Sequence, residues 1–261
     1  MDWLFELIND NNSKRIIVSA PTHPLYLIMY LFLLFPLSIA APTVFGFINT
    51  LFGISLGKAI ILGYFVFLLS IISSPFNIVI KEYRTGEKEI VLTEKYVYFF
   101  GFPIPVTHPV LVERKVVIAI NVGGAIIPIV ISAILLVRII SCFNLVIPLL
   151  TSILLTTLVS YAFSRSVPGV GIVVPGFLPP LVAAITTLVL VRDPVMVVPI
   201  AYVSGVLGSL LGADLLRLTK DLKKFIYEYG ASFLSIGGAG TFDGIFLSGI
   251  IAGLIAIILS P

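Results

Sequence analysis

Seven stretches of this chain run for about 20 residues with at most one charge each, at 24–42, 58–80, 117–140, 143–164, 169–191, 194–216 and 231–259; that length crosses roughly 30 Å of hydrocarbon as a helix. Backbone exposed to lipid must satisfy its own hydrogen bonds, so the stretches commit the chain to a helical membrane fold. Composition agrees, with 59% hydrophobic and 11% charged residues against about 25% charged in a soluble domain. The chain therefore reads as an all-α polytopic membrane protein of about seven transmembrane helices. Residues 43–57 (TVFGFINTLFGISLG) are too short and Gly-rich for a clean eighth span and read as a re-entrant or interfacial piece.

Basic residues orient the spans. With the N-terminus inside, cytoplasmic segments hold Lys14, Arg15, Lys81, Arg84, Lys88, Lys95, Arg114, Lys115, Arg165, Arg217, Lys220, Lys223 and Lys224, against Lys58, Arg138 and Arg192 outside. The expectation is a multi-pass cell-membrane protein with a cytoplasmic N-terminus and an external C-terminus. Residues 1–22 show no h-region followed by a cleavage site and read as an amphipathic segment with Trp3, Leu4, Phe5 and Leu7 toward lipid. Residues 23–80 hold the first two spans, 81–116 a small cytoplasmic β-hairpin insertion, and 117–261 a five-span core. The hairpin is inferred from β-branched and aromatic runs flanking the Gly101–Pro105 break. It would recruit a partner, cover the cytoplasmic mouth of the bundle, or simply connect spans. The lone Cys142 packs, and His23 and His108 have no second ligand at metal spacing. No metal, cofactor or nucleic acid is expected; the expected partners are the bilayer and a membrane-protein or peptide substrate.

Spans three, five and seven each open on their cytoplasmic side with Gly or Pro, in NVGGAIIP (121–128), VPGVGIVVPGFLPP (167–180) and SIGGAGTFDG (235–244). Such openings leave polar backbone that hydrocarbon cannot satisfy, which is tolerated where it lines a cavity or is buried in protein. The expectation is a cavity open toward the cytoplasm, walled by three broken helix starts. Gly205, Gly208, Gly212, Gly249 and Gly253 read instead as helix-packing positions.

Of 13 acids, only Asp214 and Asp243 fall inside apolar spans, where a carboxylate costs about 3 kcal/mol on insertion scales. With no intramembrane His or Lys, the parts for Ser–His, His–metal or Lys chemistry are lacking. Two close carboxylates can divide the roles of base and acid. An interfacial acid paired with Arg217, and a helix N-cap, are the structural alternatives for Asp214 and Asp243 respectively. In a continuous helix the two would lie at different depths, so they meet only if residues 235–242 are non-helical or dip inward.

The signatures SVPGVGIVVPGFLPPLVAA, LGSLLGADLL and SIGGAGTFDGIFLSGIIA resemble those of an uncharacterised archaeal and bacterial polytopic membrane family, domain of unknown function 1614, over most of 65–259 apart from the hairpin. That resemblance implies no established activity. More remotely, the arrangement is similar to presenilin and signal-peptide-peptidase-type intramembrane aspartyl proteases, in which one aspartate lies on an inward span, the next on the following outward span, and a cytoplasmic loop joins them. The resemblance implies a catalytic pair Asp214 and Asp243, joined by a basic loop 217–228. It implies substrate positioning by Pro179, Pro180 and Leu181, and close substrate approach at Gly237, Gly238 and Gly240. Departures are that Ala213 stands where that class has Tyr, that Thr241 and Phe242 separate Gly240 from Asp243, and that the Pro-Pro-Leu element precedes the aspartates. The alternative function is a proton- or cation-coupled small-solute transporter using Asp243 at a broken-helix site.

Overall fold

A computed structural model describes residues 15–19, 24–99, 102–229, 231–238 and 244–260. Residues 1–14 of the N-terminal segment expected to lie on the membrane, with Trp3, Leu4, Phe5 and Leu7, fall outside them, as do Gly240 and Asp243. In chain order the elements are β1 (Ile16–Val18), α1 (Pro24–Thr50), α2 (Leu56–Ser73), β2 (Phe76–Phe99), β3 (Phe102–Asn121), a π-turn (Val122–Ile126), α3 (Ile127–Ile140), α4 (Val146–Phe163), β4 (Arg165–Val167), β5 (Gly171–Val173), α5 (Leu178–Leu190), α6 (Pro194–Ser209), a π-helical segment (Leu210–Leu216), α7 (Arg217–Tyr227), β6 (Phe233–Ile236) and α8 (Gly244–Leu259).

Among the described residues five helices are long and apolar enough to cross a membrane: Leu31–Thr50, Leu56–Ser73, Val122–Ile140, Val146–Phe163 and Pro194–Tyr227. Leu178–Leu190 and Gly244–Leu259 are apolar but shorter. Their outer faces carry Phe32, Phe35, Ile61, Val137, Ile147 and Val189, each more than 70% exposed. Water would not tolerate that surface; lipid solvates it, and the protein is membrane-embedded. At the centre, α6 packs against α3, α4, α5 and α8. Small residues set these approaches: a Cβ on Gly205 would meet the Ser248 carbonyl at 2.6 Å, and one on Gly249 would meet Tyr202 Cε2 at 2.9 Å.

The all-α expectation is corrected by a four-stranded sheet in the order β1-β2-β3-β6 and a separate β4–β5 pair. β2 and β3 form an antiparallel ribbon that extends the expected 81–116 insertion by five residues at each end, and β6 joins β3 in parallel, Val117 opposite Phe233 through Ile120 opposite Ile236. The ribbon's base falls within the expected spans two and three because its residues are apolar; in the fold they are buried, with Val117, Ile118 and Ala119 each at most 7% exposed. A short apolar run reads as strand or helix alike. For the same reason the expected spans five and seven begin in β5 and β6, not in helix. Residues 43–50, expected to be re-entrant or interfacial, continue α1 to Thr50 despite Pro36 and Pro42. Close packing explains it: Gly46 lies against Ile60, and Gly63 against the Pro42 carbonyl, so α2 grips α1 there. Residues 217–227, expected to be a loop, form α7. Ile16–Val18, placed in the N-terminal segment, form β1 against β2.

A candidate cavity at the π-helical turn

Asp214 lies within a continuous 34-residue helix, Pro194–Tyr227, but its own turn is π-helical, Leu210–Leu216. The widened turn lies against α4, where a Cβ on Gly212 would meet Ser160 Cβ at 2.8 Å and one on Gly208 would meet Thr156 Cβ at 2.5 Å. A π-turn inserts one residue and turns side chains out of the register a regular helix would impose, and such turns recur at functional sites. Asp214 is half-buried there.

The carboxylate borders a cavity of 270 Å³ lined by Val170, Gly171, Ile172, Asp214, Leu218, Phe233, Leu234, Ser235, Ile236 and Gly238. That volume is just under the usual range for small-molecule pockets, about 300–1,000 Å³. Asp214 is the one ionisable group on this wall among the described residues. All four consecutive residues of β6 touch the cavity. Successive side chains of a strand point to opposite faces, so a space touched by four in a row meets the strand edge-on. Among the described residues β6 is the last strand in its sheet. Beyond it, Gly237 and Gly238 have φ of +85° and +87°, a conformation open to glycine and strained for other residues. Residues 235–238 are thus non-helical, the condition that the two aspartates require over the described part of 235–242.

Two of the three broken helix starts meet directly. The backbone of Gly124, in the π-turn opening span three, lies against the Gly237 carbonyl, while Asn121 caps that turn by accepting from Gly124 N at 2.7 Å. The third start, β4–β5, forms the opposite wall through Val170, Gly171 and Ile172. It is tied down by α7: buried Asp221 accepts from the Ser166 hydroxyl at 2.8 Å and pairs with Lys224 at 3.3 Å and Arg217 at 3.7 Å. Arg217 also donates to the carbonyls of Tyr161 and Ser164 and to Ser164 Oγ, closing the C-terminal end of α4, and stacks over Tyr161. At about 1.5 Å per residue the 34-residue helix is about 50 Å long, more than the hydrocarbon thickness. Its charged α7 end therefore emerges from the membrane. Burial opposes ionisation of Asp221, but the Ser166 hydroxyl, Lys224 and Arg217 outweigh it and hold its carboxyl below the usual carboxylate value.

Of the residues singled out in the sequence, Asp214 and Gly238 line this cavity, and Gly237 sits behind it against Ala125. Pro179 and Pro180 are buried in the first turn of α5 and Leu181 is 39% exposed on its outer surface; none of the three is on the described wall. Prolines in a helix's first turn cost no hydrogen bond, which accounts for them structurally. Asp243 and Gly240 lie outside the described residues. Sequence reasoning missed Asn77 and Asn121, both without exposure, which join β2, β3, β6 and the end of α2. The signal was present in Asn121, an asparagine two residues before Gly123–Gly124 at a strand-to-helix junction. Among the described residues no group of three or more His, Cys, Asp or Glu could hold a metal ion.

No curated protein and no solved structure matches the chain. A family model described as "Protein of unknown function (DUF1614)" matches residues 71–255, a span that takes in the ribbon, the π-helical turn, the cavity wall and α8 up to its last turn. The chain belongs to that family.

Proposed function

We propose that this membrane protein is an intramembrane aspartyl protease that cleaves helical membrane substrates, with Asp214 and Asp243 as the water-activating pair. The observation that carries the proposal is a carboxylate on a π-turn facing a cavity that meets the end strand of a sheet edge-on. A peptide bond inside a membrane helix is shielded by its own hydrogen bonds, so hydrolysis needs a local unwinding. Strand edges bind extended chains through backbone donors and acceptors, and β6 offers them beside Asp214. Four residues separate Gly238 on the wall from Asp243, at most about 17–18 Å of chain, a length that allows the second carboxyl to approach the first. One carboxylate would take a proton from water as it attacks the scissile carbonyl, and the other would give a proton to the leaving amine. The basic residues of the ribbon and α7 would face the cytoplasm, as in the sequence-based orientation.

The experiment is cleavage of a single-span membrane peptide by purified protein in proteoliposomes. Asp214→Asn and Asp243→Asn should each reduce cleavage to background while thermal unfolding stays unchanged. Cleavage that survives either substitution overturns the proposal. A second reading, a proton-coupled transporter, is favoured by Asp214 being the one ionisable group on the described wall. Proton-linked flux lost in Asp214→Asn, with no proteolysis by the unsubstituted protein, would put that reading first.

A further inference from the structure

The distal ribbon poses a separate problem. β1 covers β2 only over Phe76–Ile78 and β6 covers β3 only over Val117–Ile120, so beyond these no further strand among the described residues pairs with either edge. An isolated two-stranded ribbon is marginal in water, and this one leaves Ile90 68%, Leu92 60% and Leu111 65% exposed.

The two edges are not equivalent. Pro103 lies opposite Tyr98, Pro105 opposite Tyr96 and Pro109 opposite Leu92. Directly opposed residues in an antiparallel pair exchange both backbone hydrogen bonds or neither. Proline has no N–H, so these are non-bonded pairs whose backbone groups point to the ribbon's outer edges. The register runs without a shift from Lys88–Glu113 to Phe99–Phe102, so the outward positions are 88, 90, 92, 94, 96 and 98 on β2 and 103, 105, 107, 109, 111 and 113 on β3. Three of those on β3 are prolines and none of those on β2 is. The β3 edge is blocked and the β2 edge can extend a sheet.

The sequence along that edge, Glu87-Lys88-Glu89-Ile90-Val91-Leu92-Thr93-Glu94-Lys95, is complementary to itself in reverse. Turned about Val91, it sets Glu87 opposite Lys95, Lys88 opposite Glu94 and Ile90 opposite Leu92 of a second copy. The pairing also places outward positions against outward positions, as an antiparallel ladder requires. A parallel in-register pairing would set every charge against its like, which destabilises a sheet. We propose that the protein dimerises through the outer edge of β2, residues 87–95 pairing antiparallel with the same residues of a second copy about Val91. The contact is isologous and closes at two copies, because the prolines on β3 stop further strand addition. The two-fold axis stands normal to the sheet, so two copies share one bilayer with the ribbon lying along its surface. The bulge between Arg84 and Lys88, with Gly86 at φ +73°, is the place for the bend.

The test uses the full chain in a Cys142→Ser background. Val91→Cys should give a covalent dimer on mild oxidation, since opposed residues in a non-bonded pair hold their Cβ atoms about 4.5–5.5 Å apart. Thr107→Cys, on the blocked edge, should stay monomeric. Lys88→Glu should raise the dimer dissociation constant at least tenfold by light scattering in detergent, and the double variant Lys88→Glu with Glu94→Lys should restore it. A monomer at every concentration overturns the proposal, as do failure of Val91→Cys to cross-link, equal cross-linking through Thr107→Cys, and a dimer indifferent to Lys88→Glu. Residue 88 is exposed, so an unchanged thermal unfolding profile separates loss of pairing from loss of fold.

Discussion

The side-chain nitrogen of Asn121 donates to the side-chain oxygen of Asn77 at 3.0 Å, and neither residue has any solvent exposure. Asn121 also donates to the Ser74 carbonyl at 2.6 Å and accepts from Gly124 N at 2.7 Å, while Ser235 donates to Asn77 at 2.7 Å. Four segments are locked by two amides: the end of α2, the base of the ribbon, the π-turn of span three and the strand on the cavity wall.

Asn121→Ala should therefore destabilise the protein by about 3 kcal/mol or more, because it strips hydrogen bonds from groups that remain buried. Asn121→Asp should do no better, since it replaces a donor by an acceptor facing two oxygens. Detergent-phase thermal unfolding measures both, and a loss under about 1 kcal/mol for Ala would show that the network carries little.

Gly124→Ala should separate β3 from β6. The added methyl would press on the Gly237 carbonyl, and backbone on both sides leaves no flexible side chain to give way. Hydrogen exchange across 233–236 should quicken, whereas Gly176→Ala, which meets nothing within 4 Å, should leave it unchanged. Equal exchange in the two variants would contradict the close approach.

Asp221 predicts a dependence on pH at the acid end. Its folded carboxyl titrates below its unfolded value, so its contribution is complete above the unfolded pKa of about 3.9 and is lost as pH falls through the lower folded value. Asp221→Asn should cost about 1–3 kcal/mol near neutral pH by leaving the half-buried Arg217 without its counter-charge, and should flatten the acid limb of the stability profile. An acid limb identical in both proteins would assign the dependence to other carboxylates.

Orientation can be read by labelling single cysteines in the Cys142→Ser background with an impermeant maleimide. Lys88→Cys on β2 and Lys223→Cys on α7 should label in inside-out vesicles, and Lys58→Cys and Arg192→Cys in right-side-out ones, because basic residues concentrate on the cytoplasmic side. Labelling of Lys223→Cys from outside would reverse the assignment.

Helices were legible where hydrophobic length exceeded anything a strand needs: 146–163 and the apolar part of 194–227 correspond to stretches marked by composition alone. Breaks were legible too, because Gly and Pro at 121–128, 167–180 and 235–244 weaken helices in any context, and these segments became a π-turn, a β-pair and a strand with two left-handed glycines. The boundaries were not. Phe76–Ile80 and Val116–Ile120 are apolar enough to extend a span, and only pairing with each other and with β6 made them strands.

By itself the sequence determined that the chain is solvated by lipid, where its helices weaken, and that Asp214 and Asp243 are the carboxyls inside apolar stretches, since burial cost and backbone chemistry depend on residue type and spacing. Tertiary structure alone decided that Asp214 sits on a π-turn beside the edge of β6, that Gly124 touches Gly237, and that Asn77 and Asn121 close the junction. Each of these joins residues far apart in the chain, through close backbone approach or through buried side-chain hydrogen bonds. Local periodicity carries no record of which distant segment will supply the other surface.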